Sequence, residues 1–272
     1  MSVQNGLIGS FFLVTFSLLM MPPNASAVDA QNASQTGAGS QFYEVRQYVL
    51  GKQGDAAAVD AYLKNALIPA LQRQGIGPIG AFEPSDSDQT GSDAIFVVIP
   101  FSNLNELQAS QQELADDEAY QTAAADYLDR PHTDPPYQRI RSEVLSSLAC
   151  WPVAKVADGL LENGERVYEL RVYESANEKI ADTKIDMFNA GEVPIFLDCG
   201  IEPIFIGKCI AGPQMPSMTY LTTYPNEQAR LEAWKAFQVH PDWQTLKVVP
   251  KYLGTVSRID KFVLQPKPYS QM

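Results

Sequence analysis

The sequence lacks most of the residue patterns that mark a catalytic or metal centre. It has two histidines, His132 and His240, which lie in different parts of the chain without a second ligand at zinc-site spacing. It also lacks a glycine-rich phosphate loop, a Gly-x-Ser-x-Gly elbow and a paired nucleophile and base. We therefore predict no metal site and no cofactor, and the sequence offers no motif that would identify an enzyme.

Positive charge is scarce as well. The chain of 272 residues carries 20 Lys and Arg against 32 Asp and Glu, which gives a net charge of −12. Nucleic acids and anionic membranes bind proteins through clustered positive charge, and the sequence contains no such cluster. Neither of these two partner classes is therefore expected.

Cysteine is equally sparse, with three residues at Cys150, Cys199 and Cys209. Three cysteines in a chain of this length do not make a disulfide scaffold. Cys199 and Cys209 flank a predicted strand, and its extended backbone would hold them beyond disulfide distance. We predict free thiols that pack as small apolar groups.

The amino-terminal segment has no charged side chain over residues 1–27. Its apolar run, Leu7 to Met21, has about fifteen residues and is shorter than the roughly 20 that a membrane span needs. A small-x-small sequence ending at Ala27 follows the run, so we predict a secretory signal peptide cut after Ala27. The protein would then be secreted or periplasmic, with no stable membrane insertion after cleavage; an uncleaved anchor is the alternative. Residues 28–41 are predicted to form a flexible leader.

The sequence does contain a repeat. Residues 43–48 read Tyr-Glu-Val-Arg-Gln-Tyr, and 125 residues later residues 168–173 read Tyr-Glu-Leu-Arg-Val-Tyr. The same offset relates Pro69 to Pro194. A fixed offset that persists beyond the hexapeptide indicates two copies of one structural unit.

Each copy shows the same order of predicted elements. Hydrophobic periodicity gives β-α-β-β-α-β in a first unit (42–148) and in a second unit (167–266), joined by a linker (149–166). This order is the ferredoxin-like arrangement, an antiparallel sheet with both helices on one face. A bare apolar sheet face is unfavourable in water. We therefore expect an α+β fold in which two tandem ferredoxin-like domains pair sheet to sheet as an intrachain α+β barrel.

Besides residues 168–173, the second unit contains Gly212-Pro213 before a strand and Pro241-Asp242-Trp243 in the last helical region. With these motifs the sequence resembles the NIPSNAP family, within the dimeric α+β barrel superfamily. The second unit is the better match, since the first unit lacks the Gly-Pro loop. The resemblance implies the ferredoxin-like fold and the barrel pairing but carries no agreed catalytic residues. The superfamily includes haem-degrading and antibiotic-modifying monooxygenases, so the fold is compatible with an enzyme without indicating one.

The repeated strand has two different faces, because successive side chains of a strand point in opposite directions. One face carries Tyr43 and Val45, and the other carries a glutamate, an arginine and a tyrosine in each unit. We expect the polar face to point into the barrel lumen, together with two tyrosines of a later strand. The predicted ligand-binding residues are Glu44, Arg46, Tyr48, Glu169, Arg171, Tyr173, Tyr220 and Tyr224.

Two interpretations of the Glu–Arg pairs stay open. In the first, the arginines bind an anionic or carbonyl-bearing ligand, while a glutamate or tyrosine handles a proton. In the second, they are internal ion pairs that neutralise each other and fix how the two units dock.

The predicted function is that of an exported protein that binds a small molecule in its lumen. One alternative is a non-catalytic structural or protein-interaction module. Another is a monooxygenase-like enzyme, either free of cofactor or with haem held by His132 or His240. The duplication makes the chain a pseudo-dimer, which is compatible with a monomer or a homo-oligomer.

Overall fold

The structure of the protein, a computed structural model, describes residues 39–272. The predicted signal peptide and the leader up to residue 38 lie outside these residues. Within residues 39–272, no helix is both long and apolar enough to cross a membrane. The three cysteines are free, as the sequence predicts.

Eight antiparallel strands of the described chain close into one barrel, in the order β1-β3-β2-β8-β5-β7-β6-β4. Two seams, β2–β8 and β4–β6, join the first unit to the second. The mixed α+β fold with a closed barrel therefore agrees with the expectation from the repeat. The strands are β1 (Phe42–Val49), β2 (Gly80–Pro84), β3 (Ala94–Phe101), β4 (Arg139–Ser147), β5 (Val167–Glu174), β6 (Glu202–Ala211), β7 (Ser217–Tyr224) and β8 (Arg258–Pro266).

Helices connect the strands and pack on the outside of the barrel. In each unit, a π-helical turn interrupts the first helical segment, at Leu63–Leu67 and at Phe188–Glu192. These turns are 125 residues apart, which is the offset of the sequence repeat. The α-helices are α1 (Ala56–Tyr62), α2 (Ile68–Arg73), α3 (Leu104–Asp116), α4 (Glu118–Leu128), α5 (Glu178–Met187), α6 (Val193–Asp198), α7 (Glu227–Val239) and α8 (Pro241–Leu246).

The lumen of the barrel is filled by apolar and aromatic side chains from both units. Tyr43 and Tyr168, the first residues of the two repeated hexapeptides, are fully buried there. Tyr43 packs against Phe205 with ring centroids 4.8 Å apart, and Tyr168 packs against Phe82 at 4.7 Å. The lumen is thus a hydrophobic core that holds the two units together.

The other face of each sheet points outward, under the helices. Tyr48 belongs to the core between β1, β3 and the helices of the first unit. Tyr173, Tyr220 and Tyr224 belong to the corresponding core of the second unit. The prediction that the Glu-Arg-Tyr face points into the lumen is therefore wrong, and all eight predicted binding residues lie on the helix-covered side.

The physical reason for this reversal lies in the closure of the barrel. The strands β3 and β7 are buried along their whole length, by the lumen on one side and by the helices on the other. Tyr43, Val45 and their counterparts supply the apolar volume that fills the lumen. The charged residues can lie under the helices because each carboxylate finds an arginine there.

Candidate functional site

A cavity of about 420 Å3 lies between the outer face of the second unit's sheet and its helices. Arg171 and Tyr173 of β5 form its floor, and Lys184 and Glu192 come from α5 and the π-helical turn. Trp234 of α7 contributes an aromatic wall together with Phe237 and with Trp243 of α8. The cavity therefore combines aromatic surfaces with buried charges.

Arg171 is held so that much of its guanidinium group stays available. Its Nε donates a hydrogen bond to Glu169 Oε1, and its Nη1 donates one to the Tyr173 hydroxyl at 3.2 Å. The guanidinium carbon lies 3.5 Å from the centroid of the Trp234 ring, a close stacking contact. A guanidinium has five N–H donors. Three of them therefore have no protein partner among the described residues, and the side chain is 15% exposed.

Glu169 is shared between two arginines. It is fully buried, and Arg171 takes its Oε1 while Arg230 of α7 takes its Oε2. Arg230 is held in turn by both carboxylate oxygens of Glu227, at 2.7 and 2.8 Å. The charge of the buried carboxylate is thus neutralised by one arginine at the cavity and by one behind it.

The equivalent pair in the first unit is arranged differently. Arg46 donates from Nε and from Nη2 to the two oxygens of Glu44, both at 2.7 Å. The Ser142 hydroxyl donates to the same carboxylate at 2.7 Å. This closed pair matches the interpretation of an internal ion pair.

Lys184 and Glu192 form a second buried ion pair at the cavity. Their Nζ–Oε2 distance is 2.7 Å, and their side chains are 5% and 2% exposed. The Lys184 ammonium also lies 4.8 Å from the centroid of the Phe188 ring. Burial raises the pKa of Glu192, although the charge of Lys184 acts in the opposite direction. Glu192 closes the π-helical turn, a feature that is frequent at functional sites.

The repeat shows that this second pair is not required by the fold. At the offset of 125 residues, Lys184 corresponds to Val59 and Glu192 to Leu67. Both first-unit residues are fully buried and belong to an apolar core. The structural unit is therefore stable with uncharged residues at these two positions. Comparing the two copies could have revealed this pair from the sequence.

The remaining predicted residues fall in different places. Tyr220 lies behind the cavity and donates from its hydroxyl to that of Tyr173 at 2.7 Å. Tyr224 lies at a separate cavity and shares a 3.0 Å hydrogen bond with Thr222. Tyr48 of the first unit packs edge-on against Tyr137, with ring centroids 5.8 Å apart. The structure therefore brings only Arg171 and Tyr173 of the eight to the cavity wall, with Glu169 directly behind.

The residues of the aromatic wall, Trp234, Phe237 and Trp243, follow one another at helical spacing, which is typical of core packing. Phe237 does pack between Trp234 and Trp243, with centroids 5.6 and 4.5 Å away. The same three side chains also line the cavity. Sequence spacing cannot distinguish these two roles, because a cavity wall is itself part of a core.

The two histidines do not fit the role of haem ligands in this cavity. His132 is exposed in the loop before β4. His240 accepts a hydrogen bond from the Asp242 backbone N–H at the start of α8. Neither side chain lines the cavity. Across residues 39–272, no group of three or more acidic, histidine or cysteine side chains is placed to hold a metal ion.

The match to a known family falls in the second unit. The family model described as NIPSNAP matches residues 168–271, so the resemblance to that family is confirmed for this part of the chain. A solved NIPSNAP-like domain protein from Burkholderia xenovorans is 17% identical and covers 39% of this chain and 90% of its own, with a TM-score of 0.36. Among curated proteins, none matches this chain in sequence.

Two of the similar solved structures align with most of this chain. A provisionally designated monooxygenase from Lactobacillus acidophilus is 12% identical and covers 84% of this chain and 94% of its own, with a TM-score of 0.53. One from Fusobacterium nucleatum is 9% identical and covers 84% of this chain and 93% of its own, with a TM-score of 0.55. At these identities the likeness shows the fold alone, an α+β barrel, and nothing about activity.

Proposed function

We propose that the NIPSNAP domain of this chain binds a small planar organic anion in the cavity beside Arg171. The observation that carries this proposal is the geometry of Arg171, whose guanidinium is fixed by Glu169, Tyr173 and Trp234 yet keeps three N–H donors without a protein partner among the described residues. A planar guanidinium matches the geometry of a carboxylate and can donate to both of its oxygens. The ligand would thus be held at its anionic end by Arg171.

The charges around the cavity favour an anion. Glu169 and Glu227 are balanced by Arg171 and Arg230, and Glu192 is balanced by Lys184. Lys247 also lines the cavity and has no ion-pair partner among the described residues. The cavity therefore carries a small excess of positive charge in a protein whose net charge is −12.

The size and the walls of the cavity define the rest of the ligand. A volume of about 420 Å3 lies within the range of small-molecule sites, roughly 300–1,000 Å3. Trp234, Phe237 and Trp243 offer aromatic surfaces on which a flat ring can stack. A one- or two-ring carboxylate meets both requirements.

The ligand would thus lie on the helix side of the second unit, and not in the lumen as the sequence suggested. The chain would consist of two tandem ferredoxin-like units, of which the second holds the ligand and the first completes the barrel. Export through the predicted signal peptide would place the binding outside the cytoplasm. The interaction module and the monooxygenase-like enzyme stay alternatives that no contact in the cavity favours.

Arg171→Met should weaken the binding of 2-naphthoate about tenfold to a hundredfold, as expected for losing hydrogen bonds between two charged groups. The variant should still fold, because Arg230 keeps Glu169 paired. Titration calorimetry with 2-naphthoate and with the neutral 2-naphthamide measures the effect. We expect the wild type to prefer the acid and the variant to bind both compounds alike.

Arg46→Met is the matched control, since Arg46 occupies the equivalent position in the first unit. It should leave the affinity for 2-naphthoate unchanged. Equal weakening by the two substitutions would show that the effect is not local to the cavity, and unchanged binding by Arg171→Met would remove Arg171 from the site.

A further inference from the structure

We infer that Arg230 is a positioning residue, which keeps Arg171 open toward the ligand by occupying the second oxygen of Glu169. This inference rests on the proposed function, since it concerns the same cavity. Arg230 does not line that cavity. It acts from helix α7, through a carboxylate that it shares with Arg171.

The two units show the carboxylate–arginine pair in two different states. In the second unit Arg171 contacts only Glu169 Oε1, because Arg230 occupies Oε2. In the first unit Arg46 contacts both oxygens of Glu44. Both pairs lie on equivalent strands, so the strand itself permits either geometry.

The difference follows from the neighbouring helix. The second helical regions of the two units are aligned by their N-cap residues, Asn103 and Asn226, which are 123 residues apart. At this offset Arg230 corresponds to Leu107, and Glu227, which anchors Arg230, corresponds to Leu104. The first unit thus lacks both the competing arginine and its anchor, and there the strand arginine closes onto both carboxylate oxygens.

If Arg171 contacted both oxygens of Glu169, as Arg46 contacts both oxygens of Glu44, ligand binding would be weakened. Glu169 is fully buried, so an unoccupied Oε2 would lack any partner unless Arg171 turned to reach it. That rotation would commit Nη2 of Arg171 to the protein, as Nη2 of Arg46 is committed to Glu44. It would also move the guanidinium plane away from its contact with Trp234. Arg230 therefore sets how many donors Arg171 presents to the cavity.

Arg230→Leu, which introduces the residue found in the first unit, tests this inference. In a crystal structure of the ligand-free variant, we expect both Nε and Nη2 of Arg171 to contact Glu169. Its affinity for 2-naphthoate should fall about tenfold, although every side chain of the cavity is intact. Arg230→Lys should restore most of the affinity, because an ammonium can still occupy Oε2.

A second variant keeps the test decisive if Arg230→Leu does not fold. The double change Glu227→Leu with Arg230→Leu reproduces the first unit's combination and leaves no unpaired Glu227. An Arg171 that still contacts only one oxygen of Glu169 in either variant would overturn the inference. This crystallographic result does not depend on whether the protein binds the ligand. If instead the wild type does not bind 2-naphthoate or Arg171→Met binds it equally well, the proposed function fails while the crystal structure still decides the role of Arg230.

Discussion

Lys184→Met should destabilise the protein by about 3–5 kcal/mol at pH 8, the usual cost of breaking a buried ion pair. The substitution leaves Glu192, whose side chain is 2% exposed, as a buried carboxylate without its ion-pair partner. Methionine is unbranched like lysine and only one atom shorter, so lost packing should contribute little. Urea denaturation monitored by circular dichroism measures the change in the free energy of unfolding.

Lys184→Met combined with Glu192→Leu should recover this loss and reach at least wild-type stability. Replacing a buried ion pair by apolar residues is often neutral or stabilising by about 1–4 kcal/mol. The first unit supplies the precedent, since Val59 and Leu67 occupy the equivalent positions in a well-packed core. A double variant as unstable as the single one would mean that the pair itself stabilises the fold.

The single variant should also depend on pH in a defined direction. Burial already raises the pKa of Glu192 in the presence of Lys184. Removing the lysine removes an influence that lowers this pKa, so the carboxyl group should take up a proton more readily. The stability lost in Lys184→Met should accordingly be smaller at pH 5 than at pH 8.

Glu143→Gln should stabilise the protein by about 3 kcal/mol at pH 8 and should have little effect near pH 4.5. Glu143 of β4 faces the lumen next to the β4–β6 seam and is 6% exposed. Its Oε1 has no hydrogen-bond partner among the described residues. Burial raises its pKa to about 7, and the neighbouring Thr219 and Cys209 side chains offset this only in part.

The sign of this effect follows from proton binding. A carboxyl group with a raised pKa keeps its proton in the folded state over a pH range in which the unfolded chain has already lost it. The wild type should therefore lose stability as the pH rises from about 4.5 to about 7. Glutamine cannot ionise, so this part of the pH dependence should be absent from the variant.

Glu44→Gln is a useful control, because we expect it to change the stability at pH 8 in the opposite direction. Burial acts to raise the pKa of Glu44, but the hydrogen bonds and charge of Arg46 lower it overall. A carboxyl group with a lowered pKa contributes stability above its unfolded pKa, and this contribution is lost at acid pH. Glu44→Gln should thus destabilise at pH 8. Parallel pH profiles for the two variants would contradict the assignment of Glu143.

The duplicated sequence predicted the architecture well, because the repeat constrains many positions at once. The offset of 125 residues recurs in the position of the π-helical turns. Pro69 and Pro194 each lie in the first turn of the segment that follows the π-helical turn. These features depend on local sequence, which both copies retain.

The direction of the polar strand face could not be predicted in the same way. Alternation shows that Tyr43 and Glu44 point to opposite sides, but a barrel covered by helices buries both sides. The contact between Glu169 and Arg230 was equally hidden, because it joins residues 61 positions apart through the packing of a helix on a sheet. In the sequence, only the presence of Arg230 where the first unit has Leu107 indicates that the two units differ at this position.

The divergence of the two ion-pair sites bears on how a duplicated protein can specialise. In a barrel made from two identical chains, every substitution appears twice, so buried charge introduced for recognition would weaken both halves. Covalent fusion removes that symmetry. One unit can retain residues that favour ligand recognition over stability, while the dense apolar packing of the other unit compensates for the lost stability. The expected stoichiometry is one ligand for each barrel, despite the internal pseudo-symmetry.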